Sequence, residues 1–117
     1  MSTDRESFLK QLTASFPEFE RELDEYSIGL LHCEVAAFRR LTEKAMDDGR
    51  AWQAEQHFKF VAVMLASADT ALDNALWVSY LIDLALGEQT PHRYQIVKGR
   101  MPRELRKQMI QASNFWK

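Results

Sequence analysis

A chain of 117 residues with 46 % apolar and 27 % charged side chains has the composition of one globular domain, far from the disordered or collagenous regimes. A single cysteine, Cys33, excludes an intrachain disulfide and thiolate metal clusters in the monomer. The net charge of −2 conceals a split: residues 1–88 hold 16 acidic and 8 basic side chains, a net of −8, while 89–117 hold 1 acidic and 7 basic, a net of +6.

Along the chain, Ser2 or Thr3 is positioned to cap a first helix with Phe8, Leu9 and Leu12 on one face. Ser15-Phe16-Pro17-Glu18 matches a capping box, with Pro17 in a first turn whose N–H groups have no intrahelical partner. The short helix it opens carries Phe19, Leu23 and Tyr26 at helical spacing, and Gly29 breaks it. A third helix begins at Leu30 with a stripe of Leu31, Val35, Phe38, Leu41 and Ala45, while Glu34, Arg39, Arg40 and Glu43 fall elsewhere on its surface. Gly49 suits the left-handed position just past its end.

The segment 51–66 has two apolar stripes, one through Ala51, Ala54, Phe58, Val61 and Leu65 and one through Trp52, Phe60, Val63 and Met64. With 70–86, capped by Asp69 and ended by Gly87, it is expected to form a central antiparallel pair. A short turn at 92–97 precedes a last helix, 102–116, whose Leu105, Met109, Ala112 and Trp116 face inward and which packs on the bundle. No alternating run or hairpin dipeptide marks a strand. The expectation is a single domain, 1–117, folded as a compact all-α bundle of five to six helices.

Catalytic and cofactor chemistry has no signature here. Glu55 and His57, like His32 and Glu34, are two residues apart and so diverge on a helix, which does not make a carboxylate-bridged metal site. His32 and Cys33 are adjacent and diverge too, with no third group to orient them. Phosphate loops and nucleophile elbows are absent. The start has no apolar signal region and the apolar run 75–82 is far short of the ~20 residues of a membrane span, so no membrane association and a cytoplasmic location are expected. We expect no enzyme and no cofactor.

Charge directs attention to contacts. Glu18, Glu20, Glu22, Asp24 and Glu25 crowd one short segment, and Asp47 with Asp48 sits at a helix C-terminus where the dipole disfavours them. Glu18, Glu22, Asp24, Glu25, Asp47 and Asp48 are therefore the expected surface for a basic protein partner, with Phe19 or Tyr26 as apolar anchors. The alternative is a homodimeric structural or regulatory domain that uses the apolar helix pair and the opposite charges. Nucleic-acid binding through the basic tail is disfavoured by the acidic body. Asp83, set in Tyr80-Leu-Ile-Asp-Leu, is expected to be partly buried and held by Arg100, Arg103 or Arg106 of the tail.

Two segments, Ser15-Phe16-Pro17-Glu18-Phe19 and Met101-Pro102-Arg103-Glu104-Leu105-Arg106, flank an apolar helix pair. In this the chain resembles a group of small all-helical uncharacterised bacterial proteins. Some proteins of that build are immunity proteins, so the resemblance implies a non-catalytic role in neutralising a toxin.

Overall fold

The computed structural model describes residues 2–86 and 90–115, which are 81 % helical with none in a strand. Seven α-helical segments occur among them: α1 (Arg5–Ser15), α2 (Leu31–Asp47), α3 (Ala51–Ser67), α4 (Thr70–Leu76), α5 (Asp83–Leu86), α6 (Pro91–Arg100) and α7 (Arg103–Phe115). A 3-10 turn, Pro17–Glu22, lies between α1 and α2, and a π-helical segment, Trp77–Ile82, joins α4 to α5 in one continuous helix. The expected all-α bundle is correct, with seven α-helical segments among the described residues where five to six helices were expected: the π segment divides 70–86 into α4 and α5, and the turn at 92–97 extends to a full helix over Pro91–Arg100. Thr90 caps that helix by accepting from the Arg93 N–H. The radius of gyration, 13.2 Å, matches the roughly 13 Å of one compact domain of this size.

The local signals hold where side chains alone decide and fail where the chain folds back. Asp4, not Ser2 or Thr3, caps α1 by accepting from the Ser7 N–H at 2.8 Å. Thr3 instead bridges to the corner between α3 and α4: its N–H donates to the Ser67 carbonyl at 2.6 Å, and its carbonyl accepts from the Asp69 N–H at 2.8 Å. The Thr3 and Ser67 hydroxyls also bond to each other. Ser15 ends α1, so the expected capping box does not form; Phe16 takes the cap position without a side-chain bond. Gly49 is left-handed at φ +79°, as expected, and Gly29 is as well, at +93°. Gly87 and Trp116 lie outside the described residues.

Burial is centred on α2, which packs on the 3-10 turn, α3, α4, the π segment and α6. Its Val35, Phe38, Leu41 and Ala45 are enclosed, as the stripe predicts. The expected central pair was 51–66 with 70–86, but α2 holds the centre, and the first stripe of α3 is fully buried only at Ala54, Phe58 and Val61. Trp52 and Val63 of the second stripe are exposed, with no described element over that side of α3.

Candidate functional site

The acidic segment folds into the 3-10 turn and the loop that follows it, and most of its carboxylates are already engaged. Glu18 accepts from the Gln53 side-chain amide at 2.7 Å and Glu22 pairs with Lys44. Asp24 accepts from the Ser27 N–H and hydroxyl and from the Tyr26 N–H, at 2.8–3.0 Å, and so builds the turn that carries the loop. The Ser27 hydroxyl, with the other donors, holds its carboxyl below the usual range.

At the end of α2, Arg93 of α6 grips Asp47 with two hydrogen bonds, 2.9 and 2.6 Å, and reaches Glu43 with a third at 2.9 Å. His92 donates to the Met46 carbonyl at 2.8 Å, satisfying one of the orphan acceptors of that helix end. Asp48 pairs with Arg50 at 3.2 Å. The cation that two aspartates at a C-terminus call for thus comes from the same chain, and the Arg93 hydrogen bonds hold Asp47 below the ordinary carboxylate range. Arg93→Ala should cost about 1–2 kcal/mol, since it releases two partly solvated carboxylates at once. Urea unfolding would read this, and a loss that vanishes only at high salt would identify it as electrostatic.

What stays open is a different part of the same segment. Glu20 and Glu25 are exposed with no ion pair among the described residues, and beside them Tyr26, Ile28 and Leu30 are 78, 64 and 56 % exposed. Three large apolar side chains within five residues, over half exposed, is an unusual allocation for a monomeric surface. Of the two expected anchors, Phe19 is buried at 1 % and packs edge-on to Phe38, whereas Tyr26 is free. Helical spacing had put Tyr26 on one face with Phe19 and Leu23; the 3-10 turn stops at Glu22, so Tyr26 parts from that face. The signal that could have exposed it is Gly29, which allows the Ile28-Gly29-Leu30 loop to turn away from the core.

The expected pairing of Asp83 with the tail does not appear among the described residues. Arg100 pairs with Glu55 at 3.8 Å, Arg103 is exposed, and Arg106 lies 5.7 Å from the Tyr94 ring centroid. Among the described residues no cation lies within ion-pair distance of the half-buried Asp83. The buried carboxylate is Glu34 instead, 2 % exposed. It accepts two hydrogen bonds from Arg5 of α1, both 2.8 Å, and one from the Gly29 N–H at 3.1 Å. Burial alone would push this carboxyl up, but the Arg5 and Gly29 bonds, with the Arg5 charge, outweigh it and hold it below the ordinary value.

A second polar group was not visible in the sequence. His57 is fully enclosed, its Nδ1 2.9 Å from the Thr42 hydroxyl, which lies 2.8 Å from the Tyr80 hydroxyl and donates to the Phe38 carbonyl at 3.2 Å. One assignment satisfies all three contacts: Tyr80 O–H and His57 Nδ1–H both donate to Thr42, leaving Nε2 as a bare lone pair. Nε2 has no hydrogen-bond partner among the described residues, and Phe16 and Phe38 rings enclose the imidazole at 4.5 and 4.9 Å. No group of three or more metal-ligating side chains forms among the described residues, and no described helix is long and apolar enough to cross a membrane. The triad therefore reads as a core device.

A family model described as a domain of unknown function (DUF7674) matches residues 9–117, nearly the whole chain. The chain belongs to that family. No curated protein and no solved structure matches it. The matched span takes in the acidic turn, the exposed loop, the buried triad and the basic tail together.

Proposed function

We propose that this domain is a non-catalytic binding module that captures a basic protein partner through the loop 24–30. The observation that carries this is the cluster of exposed Tyr26, Ile28 and Leu30 beside Glu20 and Glu25. Aromatic and aliphatic anchors supply most of the affinity in such contacts, while rim carboxylates raise the encounter rate. Asp24 contributes by fixing the turn, and Glu18, Glu22, Asp47 and Asp48 add to the local negative field although each already has a partner. Neutralising a basic toxin domain in the cytoplasm, as the resemblance to small bacterial immunity proteins implies, is the specific form of this activity.

The test is affinity capture from native lysate with the wild-type chain against Tyr26→Ser/Ile28→Ser, followed by stopped-flow association with the recovered partner. A basic protein retained by the wild type and lost by the variant is the expected result. The Glu20→Lys/Glu25→Lys variant should then associate about tenfold more slowly at low salt, with folding unchanged. Equal capture by both chains would place the interface elsewhere, and a doubled solution mass abolished by the serine variant would assign the loop to self-association.

A further inference from the structure

The outer side of the helix 70–86 and the last helix enclose a half-open groove of about 830 Å3, within the size range of small-molecule sites. Asp73, Asn74, Trp77 and Val78 line one wall, Ile82 its end, and Ala112 of α7 the other wall. The π segment makes this wall. A π turn places an additional residue in the helical repeat and is often found where a helix serves a site. Here Trp77 and Val78 are left half-buried in the groove, while Ser79 and Tyr80 turn inward to His32 and Thr42.

Two features of the groove have no answering group among the described residues. Asp73 is half-buried, and no cation among the described residues lies within ion-pair distance of it. Trp77 stands one turn on, so its indole and the Asp73 carboxylate share a face. The cation–π contacts of the described residues both fall on Tyr94, from Lys98 and Arg106, and none falls on Trp77. A carboxylate beside an indole, in a mostly apolar groove, is the chemistry that selects a cation with an apolar body. The exposed Asn74, whose side-chain amide can accept, lines the same wall.

We propose that this groove is a binding site for a compact organic cation, an ammonium group carried on an aromatic or aliphatic body. The ammonium sits between the Asp73 carboxylate and the Trp77 ring face, and the body fills the space between Val78, Ile82 and Ala112. The site lies on different elements from the loop 24–30 and stands independently of the partner binding proposed above.

Titration of the 15N-labelled domain with benzyltrimethylammonium, followed by the Trp77 indole N–H resonance (assigned through Trp77→Phe), tests this. A saturable shift of that resonance and of the Asp73 amide is expected. Asp73→Asn, which keeps the shape of the side chain and removes its charge, should weaken binding about tenfold, and neutral benzyl alcohol should bind about tenfold more weakly than the cation. Unchanged amide dispersion in Asp73→Asn separates loss of the site from loss of the fold. A non-saturating shift, equal affinity for the neutral analogue, undiminished binding by Asp73→Asn, or shifts confined to residues outside the groove would each overturn the assignment.

Discussion

Arg5→Ala should destabilise the domain by about 3 kcal/mol, at the lower end of the range for removing one member of a buried pair. The effect comes from the residue left behind. Glu34 is 2 % exposed, and without Arg5 its charge keeps only the Gly29 N–H at 3.1 Å. The lower end applies because the Arg5 side chain is itself 43 % exposed, so water enters the vacated space and screens the carboxylate in part.

The pH dependence provides the internal check. In the wild type the Glu34 carboxyl sits below its unfolded value, so its contribution is full above that value and is lost as pH falls through the folded one. In Arg5→Ala burial dominates and the carboxyl should rise above its unfolded value, so mild acid should narrow the gap between variant and wild type. Denaturant unfolding at several pH values measures both. Arg5→Leu combined with Glu34→Leu should recover most of the loss, since apolar replacement of a buried pair is often nearly neutral. A loss under about 0.5 kcal/mol, typical of surface positions, would mean that Glu34 is solvated.

His57 sets the second large effect. Burial, with Arg50 adding a smaller repulsion, holds the imidazole down to about 4, against 6.5 for a free histidine. Protonation would place an N–H on Nε2, which faces no acceptor. The folded state resists the proton while the unfolded chain takes it up, so stability falls as pH drops from about 6.5 towards 4. Across that window the loss is about 3 kcal/mol, and about 2 kcal/mol is already gone at pH 5, before most carboxylates titrate. His57→Leu should flatten the stability profile between pH 7 and pH 5 whatever it does to stability at neutral pH. An unchanged slope in that variant would move the acid sensitivity to another group.

Several features of this architecture were legible from residue order alone, and the reasons differ. The α2 stripe is a one-sided pattern on a long helix, so periodicity placed Val35, Phe38, Leu41 and Ala45 inward correctly. Gly49 was legible because a left-handed residue after a helix favours glycine. Glu34 was assigned to the surface since its own helix shows it off the apolar stripe; what buries it is the preceding loop and α1, 29 residues away at Arg5. Asp83 is half-buried, as its apolar neighbours suggest, but the cation expected beside it does not appear among the described residues, because the packing of α6 takes Arg93 and Arg100 to other carboxylates.

The tail's arginines were expected at Asp83; among the described residues Arg93 pairs with Glu43 and Asp47 at the end of α2 and Arg100 with Glu55 of α3, choices made by the packing of α6 and invisible to local pattern. The π segment is subtler still. One residue added to a turn changes which side chains face inward, and no period in the sequence announces it.

The Thr3 bridge bears on how the chain reaches this state. Its three hydrogen bonds join a residue at one end of the sequence to Ser67 and Asp69, a closure whose entropic cost must be met before any of the contacts form. During synthesis, α1 leaves the ribosome with Phe8 and Leu12 uncovered, and the corner that pins it emerges only some sixty residues later. At 5–20 residues per second that is roughly three to twelve seconds of exposed apolar surface. α1 is thus made early and secured late, once the α3–α4 corner has been built.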